Sequence, residues 1–251
     1  MRRTLFIFAA LAAAVALFAV QLAPASLADA RIAAATKGAV RLIDAEGTLW
    51  NARAVLAAGA TRVPLAWRID AWPLVRGAVH LSLVRDDGDS SAMPKADIAL
   101  SRGAVELRDV EATIPAAFIA TAAGSSAALA GGEVAINAVF VEWAPPANRG
   151  DARLRWLRAS LTPPGSAEAT ALGDITAELR AAPDRLSGPV SNAGGDLAVQ
   201  GTLALGVQSG VEISLVLTPR NPDDRNLAQA LSLIGAREAD GWRVEWRFPL
   251  R

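Results

Sequence analysis

Residues able to carry chemistry are sparse in this chain of 251 residues. It contains no cysteine and no tyrosine, and its single histidine is His80. Thiol catalysis and zinc–thiolate sites are therefore excluded, and only one imidazole is present to act as a base. The chain carries no serine-nucleophile, zinc-protease or phosphate-loop motif. Because His80 alternates with Val79 and Leu81, we expect it on the polar face of a strand, as a surface residue.

Two groups of carboxylates have simpler explanations than a functional site. Asp86, Asp87 and Asp89 lack the spacing of an EF-hand loop, so a hairpin turn with solvated charges is expected there. Asp223 and Asp224 precede an apolar run, and either one is suited to cap a helix. We assign no catalytic, cofactor-binding or metal-ligating residue, and we expect a protein that is not an enzyme and uses no cofactor.

The tryptophans supply most of the large apolar side chains in a sequence otherwise rich in alanine, valine and leucine. Core packing is their expected role. The functional alternative is a hydrophobic groove or partner-binding face that accepts a strand or a lipid chain. The seven residues are Trp50, Trp67, Trp72, Trp143, Trp156, Trp242 and Trp246.

These side chains must be positioned by strands, because alternation of apolar and polar residues recurs along the chain. Residues 196–207 and 211–217 both follow this period of two and are separated by a short turn, which predicts a hairpin. The same alternation occurs in 79–83, 105–108 and 242–248. The fold class expected is mainly β: an antiparallel, β-rich domain with one or two short helices.

Helices and loops are predicted from capping and breaking residues. One helix should run from the Asp223–Asp224 pair to Gly235, and a shorter one over 115–123. Small residues and prolines predict loops over 124–132 and 145–151. Residues 188–195 are a candidate sub-boundary within the domain.

The N-terminus predicts export. Arg2 and Arg3 precede an uncharged apolar run, and eighteen such residues in a helix cover roughly 27 Å, enough for a bilayer core. The positive-inside rule then places the N-terminus in the cytoplasm and the remainder in the periplasm. The expected organisation is a cytoplasmic tail (1–4), a transmembrane helix (5–23), a juxtamembrane connector (24–40) and a periplasmic β-rich domain (41–251).

Alternatives to a permanent anchor remain open. Small residues at 23–25 and 28–30 offer sites for a signal peptidase, so a cleaved signal peptide is the competing interpretation. The arginine pair also fits a twin-arginine export signal, although the usual preceding serine or threonine is missing. The 25 basic and 25 acidic residues form no long run of either sign, which argues against a nucleic-acid partner.

Several motifs together resemble the type II secretion system protein N family, also called general secretion pathway protein N. The resemblance covers nearly the whole chain, with Ala52 a departure where the family tends to have glycine. The matching segments are Gly47-Thr48-Leu49-Trp50, Pro64-Leu65-Ala66-Trp67, Trp72 to Gly77, Gly194 to Leu197, Leu217-Thr218-Pro219-Arg220 and Leu231 to Gly235.

The resemblance implies a non-enzymatic accessory of the type II secretion system in a Gram-negative bacterium. Such a protein is a single-pass protein of the inner membrane, faces the periplasm, and assists export of folded proteins across the outer membrane. Its partners would be the inner-membrane platform or the outer-membrane channel, with homo-oligomerisation also open. The alternative function is that of an AsmA-like periplasmic protein for lipid handling or envelope maintenance, which requires an open apolar groove. An exported hydrolase is a third alternative.

Overall fold

The computed structural model describes residues 21–85, 93–124, 129–162, 168–206, 209–239 and 241–248. These residues form strands, short α-helices and one 3₁₀ helix at Trp72–Arg76. The strands are β1 (Arg41–Thr48), β2 (Asn51–Ala58), β3 (Thr61–Asp70), β4 (Val79–Leu83), β5 (Lys95–Ser101), β6 (Ala104–Pro115), β7 (Leu129–Trp143), β8 (Arg149–Thr162), β9 (Thr170–Ala181), β10 (Leu186–Ala193), β11 (Leu197–Gly206), β12 (Gly210–Pro219), β13 (Ala236–Glu238) and β14 (Gly241–Phe248). The helices are α1 (Leu27–Ala35), α2 (Ala116–Ala122) and α3 (Arg225–Ile234).

The strands form one 14-stranded antiparallel sheet that confirms the predicted β-rich class. Strands β1 to β12 lie side by side in chain order, and β14 and then β13 complete the sheet. The predicted hairpin is confirmed, because β11 and β12 pair from Leu197 opposite Pro219 to Leu205 opposite Val211. The candidate sub-boundary at 188–195 falls within β10 and the turn after it, where the sheet continues without interruption.

One face of the sheet is apolar along its whole width. Strand side chains alternate between faces, so Trp67 and Leu83, which lie opposite each other, share a face with Ala96 on the next strand. At the far edge Trp242 and Val244 occupy the same face.

Bulges preserve this apolar face where the strands are long. Arg158 in β8 has a φ of 49° and Asp109 in β6 a φ of 48°, and the pairing register shifts at both residues. The extra residue restores the alternation, so Leu107 and Val110 pack against the same buried cluster although they are three positions apart. A Cβ at Gly150 would collide with the carbonyl oxygen of Phe140.

The three helices cover parts of the apolar face. Ala28 and Ile32 of α1 pack over β1 to β3, and Phe118 of α2 packs with Ala58 and Val63. Leu227 and Leu231 of α3 pack over the last strands in a cluster whose other buried members are Ala159, Leu172, Leu197, Val199, Leu217, Trp242 and Val244. Both predicted helices are thus present, and Asp224 rather than Asp223 is the cap, its Oδ1 accepting from the Leu227 N–H at 2.9 Å.

The N-terminal segment closes the β1 edge. Ala25 N–H donates to the Gly47 carbonyl at 3.2 Å, and Leu49 N–H donates to the Ala23 carbonyl at 2.7 Å. Asp29 accepts from the Leu42 N–H at 2.8 Å and pairs with Arg41 at 2.6 Å. These bonds occupy backbone groups that an edge strand otherwise leaves exposed.

The two predicted loops differ in extent from the structure. The loops expected over 124–132 and 145–151 are shorter, since β7 begins at Leu129 and β8 at Arg149. Glycine explains the first case, because a Cβ at Gly132 would collide with the Leu157 carbonyl oxygen.

Residues 5–20 of the predicted transmembrane helix lie outside the described residues, and no helix within the described ranges has the length and apolarity to cross a membrane.

Candidate functional site

The candidate site is the middle of the apolar face, on β4, β5 and β6. Two rows of side chains run across these strands. Val79, Leu100 and Val105 form the row nearest the β5–β6 turn, while Leu81, Ile98 and Leu107 form the next. These six residues are called the central stripe below.

The central stripe lies between covered parts of the face. Leu81 packs against the buried cluster under α1, and Leu107 packs against the buried cluster of β7, β9 and β10. Val79, Ile98 and Val105 are half-buried, whereas Leu100 is 40% exposed. The stripe is therefore an aliphatic surface with solvent access.

The two ends of the sheet differ in how they are covered. At one end, α2 follows β6 and reaches β2 and β3, and α3 packs over β12 and β14. The opposite end, called the open end, carries the turns 48–51, 101–104 and 143–149. Trp72 lies at the open end and is 72% exposed.

The described chain enters the fold at the open end. Gln21 is its first described residue, and the hydrogen bonds of Ala23 and Ala25 attach this segment to the end of β1. Leu22 beside them is 64% exposed. The sequence predicts a connector over 24–40. Apart from Asp29, the first charged residue after the apolar run, nothing in the sequence indicated that this connector is hydrogen-bonded to the sheet.

The tryptophans divide by environment. Trp67 and Trp242 are buried, as expected of core residues, whereas Trp72 is exposed. Trp67 Nε1 donates to the Leu49 carbonyl at 2.9 Å, and Trp156 Nε1 donates to the Gly131 carbonyl at 2.8 Å. Trp143, directly opposite Val105 of the central stripe, has a buried Nε1 with no partner among the described residues.

The opposite face of the sheet is charged and solvated. Cross-strand ion pairs join Arg153 to Glu178 at 2.8 Å and Arg158 to Glu133 at 3.2 Å. Both pairs are exposed, so each contributes little to stability. A polar depression of about 1040 Å³ lies beside the bulged strands and includes Arg155.

The single histidine lies on this charged face, as predicted. His80 Nδ1 is 2.8 Å from Asp70 Oδ2 on the neighbouring strand, and the side chain is half-exposed. Asp97, Glu106 and Arg108 line a shallow depression with it.

Asp86, Asp87 and Asp89 lie outside the described residues, within which no cluster of three or more histidines or carboxylates is arranged to hold a metal ion.

Comparison with known proteins identifies the family. No curated protein sequence and no solved structure matches this chain. Residues 38–244 match the family described as Type II secretion system (T2SS), protein N. The match begins directly after α1 and ends in β14, so it includes the apolar face and the central stripe. Since it covers most of the chain, the protein belongs to the type II secretion system protein N family.

Proposed function

We propose that this protein is a non-enzymatic accessory of the type II secretion system that assists export of folded proteins from the periplasm across the outer membrane. The observation that carries the proposal is the family match over residues 38–244. The match spans β1 to β13 and the first half of β14, so the family likeness involves nearly the whole sheet and not one motif.

The proposed location is the inner membrane, with residues 5–23 as the single anchor and the sheet in the periplasm. The apolar run and the two preceding arginines support this orientation. In the structure, Ala23 and Ala25 are hydrogen-bonded to the sheet. An anchor ending at residue 23 would therefore hold the sheet directly against the membrane, without a flexible linker.

A binding role agrees with the surfaces of the sheet. The charged face presents exposed arginines and carboxylates such as Arg155 and Glu178, which suit electrostatic contact with another protein. His80 is engaged with Asp70 on this face. We propose that the charged face contacts the inner-membrane platform or the link to the outer-membrane channel.

Cross-linking in cells tests this contact. The chain has no cysteine, so Arg155→Cys on β8 and Arg62→Cys on β3 each introduce a single thiol on the charged face. A thiol-reactive photo-crosslinker attached to that thiol then samples the partners of this face. We expect at least one variant to be recovered covalently attached to another secretion component, because both positions are exposed. The cysteine-free parent, treated identically, is the control.

Recovery of no secretion component from either variant would count against the proposal.

The AsmA-like alternative keeps one supporting observation, the solvent-accessible central stripe, since lipid handling requires an open apolar surface. It predicts a change in outer-membrane permeability on deletion, whereas the secretion role predicts retention of exoproteins. The two roles are thus separated by phenotype.

A further inference from the structure

The central stripe has the composition of a hydrocarbon-binding surface. Its six side chains are all aliphatic, and in the row nearest the open end Trp143 continues them on β7. Leu100 in the middle strand is 40% exposed. Leaving such a connected apolar surface in water is unfavourable, so an apolar ligand that covers it gains free energy.

The backbone around the stripe argues against an extended peptide as the occupant. Strand β4 pairs with β3 and β5, and β5 pairs with β4 and β6. Strand β6 in turn pairs with β7. A peptide lying on this face would find no sheet edge to extend, and its own buried N–H and C=O groups would lack partners. A hydrocarbon chain has no such groups to satisfy.

The dimensions also favour a narrow ligand. Two strand spacings separate β4 from β6, about 10 Å, which is no wider than an α-helix with its side chains. The two rows of the stripe are two residues apart along each strand, about 7 Å, and β5 continues from them to the open end at Ser101. The terminal part of one extended acyl chain therefore fits on the stripe, with the remainder passing out through the open end.

The open end provides the route from a membrane. The described chain begins there at Gln21, two residues from the end of the predicted anchor at 23. Leu22 and Trp72 are exposed at the same end, and tryptophans are enriched at membrane interfaces. At the other end of the sheet, α2 and α3 cover the apolar face.

We propose that the central stripe binds one acyl chain of a phospholipid that enters through the open end from the membrane beneath it. The site rests on the proposed inner-membrane anchor but goes beyond the secretion role, because it requires no secretion partner. The ligand is recognised by its hydrocarbon, and the phosphate headgroup remains at the membrane surface.

A photoreactive phospholipid tests this site in the full chain. The protein is reconstituted into vesicles of phosphatidylethanolamine and phosphatidylglycerol that contain a phospholipid with a diazirine in its acyl chain. After illumination, mass spectrometry locates the lipid adducts. We expect adducts at Ile98 and Leu100 and, on the next strand, at Val105 and Leu107, with none at Ala99 or Glu106, which point to the other face.

Matched substitutions sharpen the test. Leu100→Asn places a polar group in the stripe, and we expect it to reduce stripe adducts at least several-fold. Because Leu100 is exposed, we expect the variant to fold, and thermal unfolding of the same variant checks this expectation. Ala99→Asn on the same strand places the amide on the charged face, and we expect its adduct yield to equal that of the unchanged chain.

Three results would each overturn the proposal. The first is a set of adducts confined to residues 5–23, which would mean that lipid touches only the anchor. The second is equal labelling of both faces of β5, and the third is an unchanged adduct yield in Leu100→Asn. None of these results bears on the secretion role, because the readout contains no secretion component.

Discussion

Tryptophans on the apolar face differ in whether the indole N–H has an acceptor. Trp156 donates to Gly131, whereas the buried Nε1 of Trp143 has no partner among the described residues. Both side chains are half-buried, so replacement by phenylalanine removes similar apolar area from each. The comparison therefore isolates the hydrogen bond.

We predict that Trp156→Phe destabilises the protein by roughly 1–2 kcal/mol more than Trp143→Phe, because only the former leaves a carbonyl without its donor. Urea unfolding followed by circular dichroism gives the free energy of unfolding for both variants. Trp67→Phe, which also removes a donor, serves as a second positive case. Equal losses for Trp143 and Trp156 would contradict this account.

Asp29 is the residue that attaches α1 to β1. The Arg41 guanidinium hydrogen bond, aided by the Leu42 N–H, lowers the pKa of this carboxyl from 3.8 to about 2. A lowered pKa means that the charged form stabilises the folded state. This contribution is fully present above pH ~4 and is lost as the pH falls towards 2.

We predict that Asp29→Asn at neutral pH loosens α1 from the sheet edge. Hydrogen exchange at the Leu42 amide should become several-fold faster, since its acceptor loses charge and its Arg41 partner. The wild-type chain should show the same acceleration, beyond the intrinsic rate, only on acidification below pH 4. Unchanged exchange in the Asp29→Asn variant would show that the edge is held by the Ala23 and Ala25 bonds alone.

Single-residue roles were predictable where they depend on near neighbours in sequence. A helix cap at Asp223 or Asp224 follows from the apolar run after them, and the structure selects Asp224; the surface position of His80 follows from the alternation around it. Asp29 was not predictable in this way. Its partners Arg41 and Leu42 lie 12 and 13 residues away, and no local pattern brings them together.

Among the elements, β8 requires glycine where it begins beside β7. Gly150 has a φ of 99° and no room for a Cβ beside Phe140. Gly103, in the turn between β5 and β6, has a φ of 83° and open space around it. The pair separates the cost of the backbone conformation from the cost of the collision.

We predict that Gly150→Ala destabilises the protein by roughly 2–4 kcal/mol, from an unfavourable φ and displacement of the β7 backbone. Gly103→Ala should cost only about 1 kcal/mol, because the φ penalty acts alone. Urea midpoints of the two variants, measured side by side, provide the test. Similar midpoints would mean that the sheet relaxes around residue 150.

Element type was predictable from periodicity, but the ends of elements were not always. Residues 211–217 and 242–248 alternate clearly, and both are strands of the predicted kind. Gly131 and Gly132 indicated a loop, yet they lie in β7 because their missing side chains allow close approach to β8. Glycine thus marks either a break or a close contact, and only the neighbouring strand decides between them.

At the scale of the whole molecule, period-two patterns predicted an antiparallel β-rich domain but not a single sheet. That outcome depends on every strand up to β12 pairing with the next in an apolar register. The apolar face that results is covered by helices at one end and accessible at the central stripe. The N-terminal segment covers the β1 edge, and α2 and α3 cover one end of the sheet. The open end stays uncovered, and the predicted anchor joins the described chain at this end.

The secretion role is tested most directly by the location of a folded exoprotein in a strain that lacks the gene. We predict normal growth, accumulation of the exoprotein in the periplasm and reduced release into the medium. Expression of the full chain should restore release, while the sheet without residues 5–23, exported by a cleavable signal, should not. Normal release in the deletion strain, accompanied by altered outer-membrane permeability, would contradict the secretion role and favour lipid handling.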